Sequence, residues 1–148
     1  MQLGHDTLDP VIARAEAAGV TMVLENIQDK NPEARCALSD SFDSAAVAVS
    51  IDTGHAHYAH GSTGAPPVDY YVARAGDRLA HIHLQDADGY ADRHWRIGEG
   101  TVHWFAAFRA LVNLLSQPRL IMELRDKAGI LPSRAWLAAR GLARGRPR

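Results

Sequence analysis

The feature that most constrains the fold of this chain is a pattern that occurs four times along it. Each occurrence has a short apolar run, then a polar cluster, then a stretch with helical periodicity. Short runs of mostly apolar residues are typical of strands that are buried on both faces of a parallel sheet. The apolar runs are Val20–Leu24, Ala45–Ile51, Leu79–Leu84 and Leu120–Leu124.

Amphipathic stretches separate these runs and predict helices. The predicted helices are Thr7–Gly19, Pro67–Gly76, Val102–Leu115 and Ser133–Gly141, with a less regular pattern over Pro32–Phe42. In the first of them, Pro10 falls in the first turn and Gly19 acts as the C-terminal stop. Strands that alternate with helices indicate βαβ units joined by right-handed crossovers.

Two architectures accommodate four such units: a small open α/β sheet, or half of a (β/α)₈ barrel, which would take about 125 residues. The Gly-rich phosphate fingerprint of the dinucleotide-binding folds is missing after the first run, where the chain reads LENIQDKNP. We therefore expect four parallel βα units that form a half or partial TIM barrel. This single domain would cover residues 1–141, followed by a basic C-terminal tail over 142–148.

Composition narrows the classes of protein further. Of the 148 residues, 47% are hydrophobic and the formal net charge is −1, although residues 134–148 hold five arginines and no acid. The rest of the chain is therefore acidic, which argues against a nucleic-acid partner.

No apolar run is long enough for a membrane helix, and the first ten residues do not resemble a signal peptide. The single cysteine, Cys36, excludes an internal disulfide. We expect a cytoplasmic protein without a membrane partner.

Groups that can bind a metal lie at or near the end of every predicted strand. They are Glu25, then Asp52 with His55, then His83 with Asp86, then Glu123. The carboxyl ends of barrel strands meet at the face where active sites are built. Carboxylates on apolar strands are costly to bury unless they are paired or coordinated. The mixed oxygen and nitrogen set suits a divalent ion such as Mn²⁺, Zn²⁺, Mg²⁺ or Co²⁺.

Four segments together resemble the xylose-isomerase-like TIM-barrel superfamily. They are LEN at 24–26, DTGHAH at 52–57, HIHLQDADGYADRHWRIGEG at 81–100 and MELRD at 122–126. That superfamily includes sugar-phosphate isomerases and epimerases together with the endonuclease IV type of apurinic-site nuclease. The resemblance spans about residues 3–126 and matches only the C-terminal half of a family barrel.

The resemblance implies a role for each matching residue. Glu25, Asp52, His83 and Glu123 would form the shared metal set, with ligand distances of about 2.0–2.3 Å. In the epimerase members the two glutamates, here Glu25 and Glu123, also act as the catalytic acid/base pair. In the nuclease members the residues that match His55, Asp92 and His94 bind a further zinc ion.

The chain also departs from both family patterns. The nuclease pattern needs two more histidines from the N-terminal half of the barrel, and the epimerases place an arginine soon after H-x-H, where Gln85–Gly89 has none. Three hypotheses remain. The first is a metal-dependent isomerase or epimerase that acts on a small sugar or sugar phosphate. The others are an endonuclease IV-like phosphodiesterase acting on abasic DNA and an inactive barrel fragment.

Three further expectations concern residues outside the metal set. His81 is expected to be a core histidine with a hydrogen bond, and His57 and His60 are expected at the surface of a mobile loop. Trp95 is expected to pack, with a sugar-stacking role as the alternative. The first and last strands would expose unpaired backbone groups, so we expect a homo-oligomer in which a second copy completes the ring of strands.

Overall fold

The computed structural model describes residues 2–143 and contains ten regular elements in that range. Two short 3₁₀ turns, Gly76–Arg78 and Lys127–Gly129, accompany them. The elements are α1 (Gln2–Ala18), β1 (Met22–Glu25), α2 (Pro32–Ser41), β2 (Val47–Asp52), α3 (Thr53–Thr63), α4 (Val68–Ala75), β3 (Leu79–Leu84), α5 (Trp104–Val112), β4 (Arg119–Met122) and α6 (Ile130–Ala139).

The four strands form one parallel sheet in the order β1-β2-β3-β4. The prediction of four parallel βα units in a partial barrel is therefore confirmed. The register aligns Glu25 with Ser50, Ser50 with His81, and Asp52 with His83. Polar side chains from neighbouring strands consequently lie side by side at the carboxyl edge of the sheet.

The apolar core lies on the helix-covered face of the sheet. Val49, Ile51, Ile82 and Leu84 are nearly fully buried there and belong to one cluster with residues of α3, α4 and α5. Because side chains alternate along a strand, the residues between them point to the opposite face. That opposite face carries Ser50, His81 and His83 and is the surface that would line the interior of a barrel.

Two predictions about helices are wrong, each for a physical reason. The segment expected as a mobile loop after Asp52 is helix α3, which begins where the Asp52 carboxylate accepts the backbone N–H of His55 at 2.7 Å. Helix α1 begins before Thr7 and carries Pro10 in its interior. The additional turn is fixed by His5, which contacts Ser41 at 2.9 Å and packs on the Phe42 ring.

The first two residues of the expected C-terminal tail, Leu142 and Ala143, lie within the described part of the chain. Leu142 donates its backbone N–H to Leu137, and both Leu142 and Ala143 pack against the core. The remainder of the expected basic tail, residues 144–148, lies outside the described residues. Within residues 2–143, no helix combines the length and apolar character needed to cross a bilayer.

Both outer strands have one unpaired edge in the described sheet. Val23 on β1 is 38% exposed, and Leu120 and Ile121 on β4 are 46% and 39% exposed. Val23 shares the inner face with Glu25, and Ile121 shares it with His83, its register partner. Exposed apolar side chains thus lie at both edges of the sheet, on either side of the polar residues Ser50, His81 and His83.

Candidate metal centre

Four side chains converge where the strands end. Nδ1 of His83, at the end of β3, lies 2.9 Å from Oε2 of Glu25 on β1 and 2.8 Å from Oε2 of Glu123, which follows β4. Asp52, at the end of β2, offers a carboxylate oxygen that lies within 4.8 Å of the ligand atoms of His83 and Glu123. The structure therefore brings together the four residues of the expected metal set.

The hydrogen bonding of this cluster fits a bound cation. Nδ1 of His83 and Oδ2 of Asp52 are buried, and neither has a hydrogen-bond partner among the described residues. Two glutamate oxygens approach the histidine nitrogen closely, yet in directions that do not make a hydrogen bond. Buried polar atoms without partners are costly, and a divalent ion with oxygen and nitrogen ligands would satisfy them together.

The centre is open to solvent on one side. Asp52 is fully buried, whereas the side chain of Glu123 is 44% exposed and that of Glu25 is 30% exposed. Asp52 can thus serve only as a ligand or a structural group, while the two glutamates can reach a molecule that enters from the open interior.

A second cluster of His55, Asp92 and His94 adjoins the first. Nε2 of His55 lies 3.4 Å from Oδ2 of Asp92, and Nε2 of His94 lies 3.1 Å from Oδ1 of the same carboxylate. Each Nδ1 faces a backbone carbonyl, that of Asn26 for His55 (3.0 Å) and that of Glu123 for His94 (3.2 Å). If each Nδ1–H donates to its carbonyl, both Nε2 atoms carry lone pairs toward the carboxylate, an arrangement that needs a proton or a metal ion between them.

Sequence reasoning missed the residue that links the two clusters, Gln85. Its side-chain amide donates to Oδ1 of Asp52 at 3.0 Å and to Oδ1 of Asp92 at 3.1 Å. Its Oε1 accepts the backbone N–H of His94 at 2.8 Å, although His94 has a left-handed φ of 52° that disfavours a side chain. Gln85 is fully buried. A polar residue directly after an apolar strand was the available signal.

Asn26 is the second positioning residue that the sequence did not reveal. Its side chain accepts the backbone N–H of Asp52 at 2.8 Å and donates to the Asp52 carbonyl at 3.2 Å, so it joins the ends of β1 and β2. The backbone carbonyl of the same residue faces His55. Asn26 therefore fixes one residue of each cluster.

Asp86, which the sequence also placed among the strand-end groups, has a structural role in this arrangement. Its carboxylate accepts backbone N–H groups of Ala87, Gly98 and Val102 and the indole N–H of Trp104. These bonds saturate the carboxylate and hold the segment between β3 and α5 against the sheet. Asp86 does not belong to the groups of metal-competent residues found within residues 2–143.

Of the other histidines, His81 has the expected hydrogen bond but is half-buried on the open inner face and not in the core, where it forms a further group of metal-competent residues with Glu25 and His83. His57 and His60 match the expectation only in part. His81 contacts the Ser50 hydroxyl at 3.0 Å, and that hydroxyl donates to Oε2 of Glu25 at 3.3 Å. His60 is exposed, but His57 is half-buried on α3 and bonds the Thr101 hydroxyl at 2.8 Å. Both of these residues lie on a helix, which corrects the loop expectation.

The pKa values of the site reflect its crowded carboxylates. Burial raises the pKa of Asp52, although His55 and hydrogen bonds oppose this. Burial acts to lower the pKa of His55, but Asp52, the Asn26 carbonyl and Asp92 outweigh it and raise the pKa. Burial acts to raise the pKa of Asp92, but the Gln85 amide and the two histidines hold it below its ordinary value. The surroundings thus favour the protonated forms of Asp52 and His55 and the ionised form of Asp92.

Fold and site together define a class: an α/β partial barrel with a candidate metal centre at the carboxyl ends of its parallel strands. The sequence matches the model of the family described as Xylose isomerase-like TIM barrel over residues 4–141. This chain belongs to that family.

Individual relatives agree with this assignment. A zinc-soaked protein from Thermus thermophilus is 29% identical and superimposes with a TM-score of 0.71, covering 96% of this chain and 52% of that one. A D-tagatose 3-epimerase-like protein is 23% identical with a TM-score of 0.74, covering 90% and 51%. The 3-keto-D-glucoside 4-epimerase of E. coli is 19% identical with a TM-score of 0.71, covering 90% and 51%. The last two show the fold alone.

One curated relative, an uncharacterised protein of Methanocaldococcus jannaschii, is 27% identical over 113 residues, covering 71% of this chain and 37% of the relative. The chain thus spans about half the length of the solved structures that it matches, and less of this curated relative. The family match and the shared fold place it among the Xylose isomerase-like TIM-barrel proteins.

Proposed function

We propose that this chain is a divalent-metal-dependent isomerase or epimerase of small sugars, in which Glu25 and Glu123 transfer the proton. The observation that carries the proposal is the approach of these two carboxylates to the same nitrogen of His83 from opposite edges of the sheet. Two acid/base groups on two sides of one point can act on both faces of a carbon held there. The sugar epimerases that share the fold are consistent with this chemistry.

The residues that would hold the metal are Glu25, Asp52, His83 and Glu123. Their oxygen and nitrogen atoms fit Mn²⁺, Zn²⁺, Mg²⁺ or Co²⁺. When bound, such an ion polarises a substrate carbonyl and acidifies the neighbouring C–H bond. The chain contributes the rest: one glutamate carboxylate takes the proton from carbon, and the other glutamate, protonated, returns a proton to the opposite face. No electrons leave the substrate, so no redox partner is needed.

The surrounding residues orient these groups. The Ser50 hydroxyl donates to Glu25, and Gln85 and Asn26 hold Asp52 in place.

We propose that His55, Asp92 and His94 hold a second ion, because their ligand atoms lie within 4.8 Å of one another around a common point. This trio is also the observation that favours the second candidate, cleavage of abasic-site DNA, whereas the acidic composition of residues 1–133 opposes it.

We also propose that the working form is a homodimer. The inner sheet face and the edges of β1 and β4 expose Val23, Leu120 and Ile121, and such edges are templates for strand pairing. A two-fold arrangement that pairs β1 of each copy with β4 of the other would restore an eight-stranded ring.

The decisive experiment combines metal content with proton exchange. Purified protein loaded with Zn²⁺, Mn²⁺ or Co²⁺ is incubated with ketoses and ketose phosphates in D₂O, and deuterium at carbon is followed by NMR. We expect exchange in the wild type and a loss of about 10²–10⁴-fold in Glu123→Gln at equal metal occupancy. Glu16→Gln, on the exposed outer face of α1, is the matched control. Full exchange in a metal-loaded Glu123→Gln variant would refute the assignment, and abasic-DNA cleavage without exchange would favour the second candidate.

A further inference from the structure

We infer that Glu25, His81 and His83 form a further metal site, called here the inner site, which selects Ni²⁺ and Cu²⁺ over Mn²⁺ and Mg²⁺. One ligand atom of each of these three residues lies within 4.8 Å of the other two. The inner site adjoins the strand-end centre of Glu25, Asp52, His83 and Glu123 and differs from it by the use of His81. It requires no turnover of a substrate, so it holds or fails independently of the proposed isomerase.

The sheet itself places the three residues next to one another. The strand register aligns Glu25 with Ser50 and Ser50 with His81, so three neighbouring strands each contribute one polar side chain to the same row. His81 and His83 are two residues apart on β3, so both rings lie on the inner face. Their ring centroids are 4.5 Å apart in an edge-to-face arrangement. Regular strand geometry therefore forms the inner site.

The Ser50 hydroxyl prepares His81 to act as a ligand. Ser50 is fully buried and donates its one hydroxyl proton to Oε2 of Glu25 at 3.3 Å. The hydroxyl can therefore only accept from Nδ1 of His81, which lies 3.0 Å away, so Nδ1 carries the proton of the imidazole. Nε2 then keeps its lone pair, and it has no hydrogen-bond partner within residues 2–143. Metal-ligating histidines usually donate their other ring N–H in this way.

The donor atoms of the two metal sites favour different ions. The strand-end centre has three carboxylates and one imidazole, and carboxylates suit Mn²⁺ and Mg²⁺. The inner site has one carboxylate and two imidazoles, and imidazoles suit Ni²⁺ and Cu²⁺, which also stand high in the general order of metal affinity. Because His83 belongs to both groups, an ion in the inner site removes a ligand from the strand-end centre.

The first test compares the affinities of the full chain for Cu²⁺ and Mn²⁺ by titration against a competing chelator. The variant is His81→Asn, whose side-chain amide can still donate to Ser50 in place of Nδ1 but lacks Nε2. We expect this variant to weaken Cu²⁺ binding at one site by at least about tenfold and to leave Mn²⁺ binding unchanged. His57→Asn alters a half-buried histidine outside the metal-competent groups and is the matched control.

Circular dichroism and thermal melting verify that both variants are folded. Equal Cu²⁺ affinity of folded His81→Asn and the wild type would overturn the inner site. An equal loss of Cu²⁺ and Mn²⁺ affinity in His81→Asn would also overturn it, because His81 would then act only by holding Ser50 and Glu25 in place.

Electron paramagnetic resonance of bound Cu²⁺ counts the coordinated imidazoles directly. The spectra are recorded in a His94→Gln background, because His55 and His94 form another pair of histidines that can bind copper. We expect coupling to two nitrogens in this background and to one nitrogen after His81→Asn is added. Coupling to one nitrogen before that change, or to two nitrogens after it, would overturn the inner site.

These readouts are separate from those of the proposed function. Copper bound through two imidazoles, in a protein that shows no proton exchange with any sugar, would retain the inner site and remove the isomerase. Proton exchange in a protein whose Cu²⁺ affinity does not depend on His81 would retain the isomerase and remove the inner site.

Discussion

Nδ1 of His83 lies 2.8 Å from Oε2 of Glu123, yet no hydrogen bond joins the two atoms. Oε2 of Glu25 lies 2.9 Å from the same nitrogen and also makes no hydrogen bond with it. The side chains of Glu25 on β1, His83 on β3 and Glu123 just after β4 thus bring their ligand atoms to a common region without a hydrogen bond to His83 Nδ1. The buried Nδ1 of His83 is left without a hydrogen-bond partner among the described residues, and this observation supports the proposed cation site.

The link made by Gln85 should govern both stability and metal binding. Gln85→Glu keeps the shape of the side chain but replaces its two amide donors with a third negative charge between Asp52 and Asp92. We expect a loss of about 1–3 kcal/mol in the free energy of unfolding of the metal-free protein, measured by urea denaturation. Zinc affinity at the His55 cluster, measured by calorimetry, should fall as well. Unchanged stability and affinity would show that Gln85 does not position the clusters.

Gly54 is required for space and not for backbone conformation. A Cβ at this position would overlap the side chain of Gln85, and Gly54 lies in the first turn of α3 with no positive φ. Gly54→Ala should therefore destabilise the protein by about 1–3 kcal/mol despite the better helix propensity of alanine. Gly4→Ala is the matched control, because its Cβ would meet only Leu38 at 3.8 Å. A denaturant midpoint for Gly54→Ala that equals or exceeds the midpoint for Gly4→Ala would contradict this account.

Zinc binding should release protons and strengthen as the pH rises. The raised pKa values of His55 and Asp52 mean that the metal-free folded state holds protons that the unfolded chain has already lost. Their contribution to stability is therefore present at low pH and is lost as the pH rises through the raised values. Zinc binds the deprotonated ligands, so its contribution to the free energy of unfolding grows as the pH rises over the same range.

Calorimetry near pH 6.5 in buffers of different ionisation enthalpy measures the number of protons released. We expect fewer protons to be released by His55→Gln than by the wild type. His57→Gln, which alters a half-buried histidine outside both clusters, should leave the number unchanged. Zinc affinity that does not vary with pH would rule out proton displacement from this site.

Edge pairing should give an assembly of twice the 16.1 kDa chain mass or a multiple of it. Light scattering at micromolar concentration measures this mass directly. Leu120→Lys places a charge on the unpaired edge of β4 and should shift the protein toward monomer. The control variant is Leu115→Lys, which alters a leucine that is 90% exposed and lies away from the strands. It should not shift the protein toward monomer. A stable wild-type monomer would refute the proposed dimer.

The sequence alone determined the architecture. It also placed the candidate functional groups at the carboxyl ends of the strands. Short apolar runs that alternate with amphipathic stretches can bury their surfaces only as βαβ units, so the strands followed from local pattern. The residues Glu25, Asp52, His83 and Glu123 were identifiable because each is a polar residue that an apolar strand delivers to the same edge.

Only the tertiary structure determined how these groups are held. The bond from Gln85 to Asp52 joins residues 33 apart, and that from Asn26 to Asp52 joins residues 26 apart. No local periodicity encodes such pairs, because they depend on strand register and on the path of the segment after β3. Helix α3 escaped prediction for a related reason: its hydrophobic pattern is weak, and it is stabilised by the Asp52 cap and by tertiary packing of Ala56 and Ala59. Sequence pattern thus specified which residues reach the site, whereas long-range packing specified their orientation.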